Sequence, residues 1–190
     1  MSIHIPLFIS CIWYTVGLVW LLGLASNKRT VRSQTPGSRI FQLSLVLLGM
    51  FLLASQWFRS GWLGARILPE SETLGFVGLV IAAAGCLFAI SARIALGSNW
   101  SGRATVKEDH ELIIRGPYAV ARHPIYAGLL LTAVGTAIAI GEARCILGLA
   151  LLAVTFIAKI GQEEHLMLET FPLSYPAYRR RVKALIPGVF

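Results

Sequence analysis

Residues 5–25 read IPLFISCIWYTVGLVWLLGLA, and residues 26–32 continue SNKRTVR. The first block is an apolar run of 21 residues, which as a helix covers about 30 Å, the thickness of a bilayer's hydrocarbon core. In lipid a single segment satisfies its backbone polar groups only as a helix. Pro6 falls in the first turn, where a missing N–H is harmless. Gly23-Leu24-Ala25 has the small-x-small form of a leader cleavage site. However, a secretory leader carries its positive charge in front, whereas here no Lys or Arg precedes the run and Lys28, Arg29 and Arg32 follow it. The run is therefore expected to remain as a membrane helix.

The rest of the chain agrees with that solvent. Hydrophobic residues make up 56% and charged residues 14% of the 190, with mean hydropathy +0.70. A soluble domain of this length has too little interior for so much apolar surface. The net charge of +8 would suit nucleic acid, but the basic residues sit just outside the apolar runs, where they select a membrane side and meet anionic headgroups. No nucleic-acid partner is expected. Cys11, Cys86 and Cys145 all lie inside apolar runs. They give neither a disulfide framework nor metal-ligand spacing and read as packing residues.

Four more apolar runs follow. The second is Ile40 to Phe58, after the turn-prone Gln34-Thr35-Pro36-Gly37-Ser38. The third is Leu74 to Ile94, with Ser71 placed to start it. Its Gly78, Ala82, Gly85 and Ala89 recur at three- and four-residue spacing and predict a face for close helix contact, internal or between copies. The last two runs, Ile125 to Ile140 and Cys145 to Ile160, hold 16 residues each. Only Gly141-Glu142-Ala143-Arg144 separates them, which predicts a tight helical hairpin, short for a full crossing. The expected fold is thus all-α and polytopic, with about five transmembrane helices. Residues 1–95 would hold the first three. Residues 96–190 would form a second region of cytoplasmic loop, hairpin 124–160 and cytoplasmic tail.

With the N-terminus outside, 14 of the 17 basic residues fall on the cytoplasmic side and only Arg59, Arg66 and Arg144 outside. That bias predicts N-out, C-in. It also places the two long polar stretches, 95–123 and 161–190, on the same cytoplasmic face, where any soluble chemistry must be built. No internal repeat supports a transporter.

Within these stretches Arg122-His123 stands directly before Pro124, where the fourth helix should start. Free N–H groups and the positive dipole end, with two basic side chains beside them, make a candidate anion site suited to the carboxylate of a small zwitterionic cofactor. Arg122 as a headgroup anchor and His123 as a surface residue is the plainer alternative. Glu163-Glu164 leave the fifth helix as paired carboxylates, suited to a ribose hydroxyl or a sulfonium, or simply to water. Tyr175 and Tyr178 read more readily as interfacial anchors, and Arg179-Arg180-Arg181 as facing lipid.

Taken in order, Gly97…Trp100-Ser101-Gly102, His110-x-Leu112, Gly116-Pro117-Tyr118, Arg122-His123-Pro124-x-Tyr126-x-Gly128, Glu163-Glu164 and Tyr175-x-x-Tyr178 resemble the isoprenylcysteine carboxyl methyltransferase family, relatives of the phospholipid methyltransferases. The resemblance covers about residues 90 to 188. It implies an integral membrane methyltransferase that uses S-adenosylmethionine on a lipophilic substrate, resident in the cell membrane if the source is bacterial. It implies that the cofactor is held by His110, Glu111, Leu112 and Ile113, by Tyr118, by His123, Pro124, Ile125 and Tyr126, and by Glu163, with Arg122 and Glu164 beside them. Arg103 falls where the family can place a further contact. Lys159 matches the basic residue that meets a substrate carboxylate, where eukaryotic members have Arg, and so keeps the charge without the bidentate fork. No metal and no dedicated catalytic acid or base are implied. Other readings are methylation of a phospholipid amine or small thiol, an NADPH-dependent reductase of the sterol type, and a non-enzymatic membrane scaffold. The methyl acceptor and oligomeric state stay open.

Overall fold

Each apolar run folds as a helix, because lipid or a packed neighbour leaves the backbone no other partner. The computed structural model describes residues 4–24, 30–32, 36–55, 57, 61–97, 106–107 and 112–188. The long helices are α1 (His4–Leu24), α2 (Pro36–Ala54), α3 (Glu72–Leu96), α4 (Pro124–Ile140) and α5 (Ala143–Thr170), and a short α6 (Ser174–Arg181) follows. Single 3-10 turns lie at Trp62–Gly64 and Gly116–Ala119. Segments His4–Gly23, Glu72–Leu96 and Ala143–Thr170 are long and apolar enough to cross a membrane, and Ile40–Ala54 and Pro124–Ile140 are shorter apolar helices.

The fold is all-α as expected, with one short ladder beside the bundle in which β1 (Thr30–Arg32) pairs antiparallel with β2 (Val106–Lys107), Thr30 opposite Lys107. Two helices differ in extent from their apolar runs. First, α2 begins at Pro36 and stops at Ala54, four residues earlier at each end than its apolar run, because proline suits a first helical turn. Finally, α5 does not end with its apolar run at Ile160. It continues through the polar residues to Thr170, 28 residues in all, so it is no short span. The hairpin turn contracts to Gly141 and Glu142, Gly141 closing α4 in the left-handed region at φ 69°. Ser71 caps α3 as expected, accepting from the Leu74 amide at 3.4 Å.

The small-residue face of α3 is used internally. Gly78, Ala82, Gly85 and Ala89 are all buried, and α4 lies against them antiparallel. A Cβ built on Gly85 would fall 2.5 Å from the Thr132 amide nitrogen, and one on Gly128 would fall 2.6 Å from that of Ala89. The two backbones therefore touch, which is how helices associate where no hydrophobic drive exists between them. A buried hydrogen bond from Trp13 Nε1 to Thr136 Oγ1, 3.0 Å, ties α1 to α4. On the other side α2 lies against α5, and Gln42 donates to Gln162 at 3.2 Å.

Two arginines close the ends of this bundle. Arg144 is buried, pairs with Glu142 at 2.6 Å and donates to the Leu52 carbonyl at 2.6 Å, satisfying the C-terminus of α2. At that same end Ile67 and Ala143 exchange backbone bonds with Gly141 and Ala65. At the opposite end Arg93, also buried, donates to Gly97 O (2.9 Å) and Gly23 O (3.0 Å), joining the C-termini of α1 and α3. The β1–β2 pair, the start of α4, the polar half of α5 and α6 gather at this second end.

Candidate functional site

The site is built where α4 begins and α5 leaves its apolar stretch. His123 is the residue before the helix and Pro124 its first turn. Tyr126 lies one turn on. Across from them, α5 continues as a helix and so presents Lys159, Glu163 and Glu164 from successive turns rather than from a loose tail. Had α5 ended at Ile160, the two carboxylates would lack that fixed spacing.

His123 stands between the two glutamates: Nδ1 is 3.5 Å from Glu163 Oε2 and Nε2 is 3.5 Å from Glu164 Oε1. Its side chain is 8% exposed. Burial pushes the imidazole toward its neutral form, but the facing carboxylates more than offset this, and the His123 pKa stands above the ordinary histidine value. Tyr126 donates its hydroxyl to Glu163 Oε1 at 2.6 Å, and its ring stacks between His123 (centroids 5.9 Å) and Phe156 (4.7 Å). Lys159 Nζ lies 5.7 Å above the Tyr126 ring.

Glu164 has different company. Arg122 donates to its Oε1 from Nε at 2.9 Å and from Nη2, and Arg179 Nε approaches its Oε2 at 3.2 Å. Arg122 Nη1 further donates to the carbonyls of Val182 and, at 3.2 Å, Arg179. The backbone amides of Arg122 and His123 donate to Lys183 O (2.8 Å) and Ala184 O (2.9 Å). The anion expected at the start of α4 is thus the protein's own carboxylate pair, and these two amides are satisfied by the strap of residues 182–185 rather than left open to a ligand.

The structure brings Tyr118, Arg122, His123, Pro124, Ile125, Tyr126, Lys159, Glu163 and Glu164 to one end of the bundle. Tyr118 is buried, with Glu163 near enough to help burial raise its pKa. Ile113 packs on the core, where Pro124 and Ile125 are buried, and Leu112 is partly exposed. His110, Glu111 and Arg103 lie outside the described residues. Sequence reasoning missed the inward roles of the tail. Tyr175 and Tyr178 are 2% and 4% exposed, not interfacial anchors. Tyr178 donates to Tyr118 O at 2.5 Å, and burial pushes its pKa up to about 12. Arg179 faces Glu164 rather than lipid alone. The available signal was the i, i+3 spacing of the two tyrosines, which puts both on one face of a helix. Among the described residues no group of His, Cys, Asp or Glu is placed to hold a metal.

Comparison with known proteins points the same way. Residues 76–169 match the isoprenylcysteine carboxyl methyltransferase (ICMT) family. The chain is 32% identical over 148 residues to the nickel-cobalt-cadmium resistance protein NccN of Alcaligenes xylosoxydans xylosoxydans, covering 76% of this chain and 61% of that one. It is 30% identical over 115 residues to protein-S-isoprenylcysteine O-methyltransferase B of Arabidopsis thaliana, covering 59% and 58%. The chain thus spans about three fifths of these relatives. Its fold is similar to the solved structure of the eukaryotic intramembrane Ras methyltransferase ICMT, with TM-score 0.54, 24% identity and coverage of 84% of this chain and 55% of that one.

Proposed function

Because residues 76–169 match the isoprenylcysteine carboxyl methyltransferase family, we propose that the chain is an integral membrane methyltransferase that takes its methyl group from S-adenosylmethionine and transfers it to a carboxylate on a lipophilic acceptor. The observation that carries this reading is the junction of α4 and α5, where His123, Tyr126, Glu163 and Glu164 meet beside Lys159. The donor group fits that site: a cationic sulfonium and amine are matched by the Glu163 carboxylate, whose side chain remains 21% exposed, with the aromatic side chain of Tyr118 near it. In this reading His110, Glu111, Leu112 and Ile113 contribute to cofactor binding, as in the family the chain resembles, and Pro124 and Ile125 supply backbone and apolar contact. Glu164 and Arg122 hold the carboxylate cluster in place. The cofactor, when bound, supplies a methyl already activated for in-line displacement.

The chain's own residues then have three tasks. Lys159, one helical turn before Glu163, holds the acceptor carboxylate by charge. Tyr126 and Phe156 wall off water, and the packed ends of α4 and α5 keep donor and acceptor aligned. A carboxylate is ionised at neutral pH, so no base has to remove a proton. An amine acceptor would need one, and His123, flanked by two carboxylates that favour its protonated form, is poorly placed to serve. The acceptor enters sideways from the bilayer and the donor from the cytoplasm, with five crossings, N-out and C-in.

Isothermal titration of the purified chain with S-adenosylhomocysteine tests the reading. Saturable binding is expected, weakened at least about tenfold in Glu163→Ala. Absence of binding by the wild-type chain, with NADPH binding instead, would favour the reductase; binding of neither would leave the scaffold reading.

A further inference from the structure

We propose that α6 and the residues after it form a binding site for the headgroups of anionic phospholipids. The helix has two unlike faces. Tyr175 and Tyr178 turn inward and are buried, whereas Arg180, Arg181 and the nearby Lys183 are exposed. Flanking them are apolar side chains with nothing to cover them: Leu173, directly before the helix, is 91% exposed, and Ile186 is 56% exposed. Leucine and isoleucine beside a basic helix face are the pattern of an element lying in the membrane interface, its apolar residues among the acyl chains and its cations at the phosphates.

Position and charge identify the occupant. The amides of Arg122 and His123 bind Lys183 O and Ala184 O, which fixes the strap at the start of α4, the end of a membrane helix. From Phe171 to Phe190 there are four basic residues and no Asp or Glu. The Glu164 carboxylate is taken up by Arg122 and Arg179, so a phosphodiester finds the exposed cations there and the site favours anionic lipid. Arg179 is half exposed while it contacts Glu164 of α5, so α6 adjoins both the headgroup layer and the carboxylate cluster. The proposal does not depend on methyl transfer, and it depends on N-out, C-in only for which leaflet supplies the lipid.

The test uses the full chain without cofactor, in mixed micelles of phosphatidylglycerol and phosphatidylcholine, with retained lipid counted by native mass spectrometry. Wild-type protein is expected to retain phosphatidylglycerol in preference. Arg180→Gln with Arg181→Gln is expected to lower that retention at least about tenfold, at roughly fivefold per basic residue, without changing the melting temperature in phosphatidylcholine alone. Leu173→Ser keeps every charge and folds independently of the arginines; it is expected to lower retention severalfold. Equal retention of both lipids by the wild-type chain overturns the proposal. So does undiminished retention in either variant. Displacement of the lipid by millimolar inorganic phosphate would assign the site to free phosphate instead, and overturns it too.

Discussion

At the residue scale, the central fact is one imidazole between two carboxylates. His123 reaches Glu163 and Glu164 with its two ring nitrogens, and its folded pKa is raised. The sign of the linkage follows. A group whose pKa is higher folded than unfolded contributes stability that is complete below the unfolded value, about 6.5, and is lost as pH rises through the folded value. The melting temperature of the wild-type chain should therefore fall relative to His123→Gln from about pH 6.5 upward. Thermal scans of both proteins between pH 5.5 and 9, in one detergent, check this. A difference that grows with pH would contradict the pairing. Tyr126→Phe removes one donor to Glu163 while keeping the ring stack, and should weaken S-adenosylhomocysteine binding less than Glu163→Ala does, measured side by side by titration.

Elements meet through small residues and end caps. Gly85 and Gly128 let α3 and α4 come to backbone contact, so Gly85→Leu forces them apart and should cost about 2 kcal/mol or more. The readout is the detergent-solubilised melting curve, with Gly85→Ala and Gly17→Ala compared as well, since a Cβ at Gly17 meets nothing. Arg144 sits at the other end, buried against Glu142 and the Leu52 carbonyl. Arg144→Met leaves a mostly buried carboxylate and an unmet carbonyl and should destabilise by about 3 kcal/mol. Arg144→Met with Glu142→Gln should recover part of that loss, and a double variant as unstable as the single one would show that the pair is not what matters. Helix length is the other lesson at this scale. The apolar pattern marks where lipid ends, not where a helix ends, so the polar continuation of α5 to Thr170 had no hydrophobic signal to betray it.

For the whole molecule, the charge bias and the fold agree on which ends lie together. Segments 30–32 and 106–107 pair as strands, and the starts and ends of α1, α3, α4 and α5 alternate between the two faces of the bundle. If the C-terminus is cytoplasmic, a fluorescent protein fused after Phe190 should mature and fluoresce in bacterial cells, and a periplasmic alkaline phosphatase fusion at the same place should stay inactive. The reverse result would invert the topology and move the site to the other side.

The bilayer as solvent, the number of apolar segments, the small-residue face of α3 and the set of polar residues near Arg122-His123 and Glu163-Glu164 were all determined by the sequence alone, because they depend on local hydrophobicity, spacing and residue chemistry. The partner of that small-residue face, the passage of α5 into the polar zone, the enclosure of Arg122 by Glu164 and the strap, and the inward turn of Tyr175 and Tyr178 were decided only by the tertiary structure. Each of these rests on contact between segments distant in sequence. A side chain's partner there is chosen by how neighbouring helices pack and which buried polar groups must be satisfied, and no local pattern carries that information.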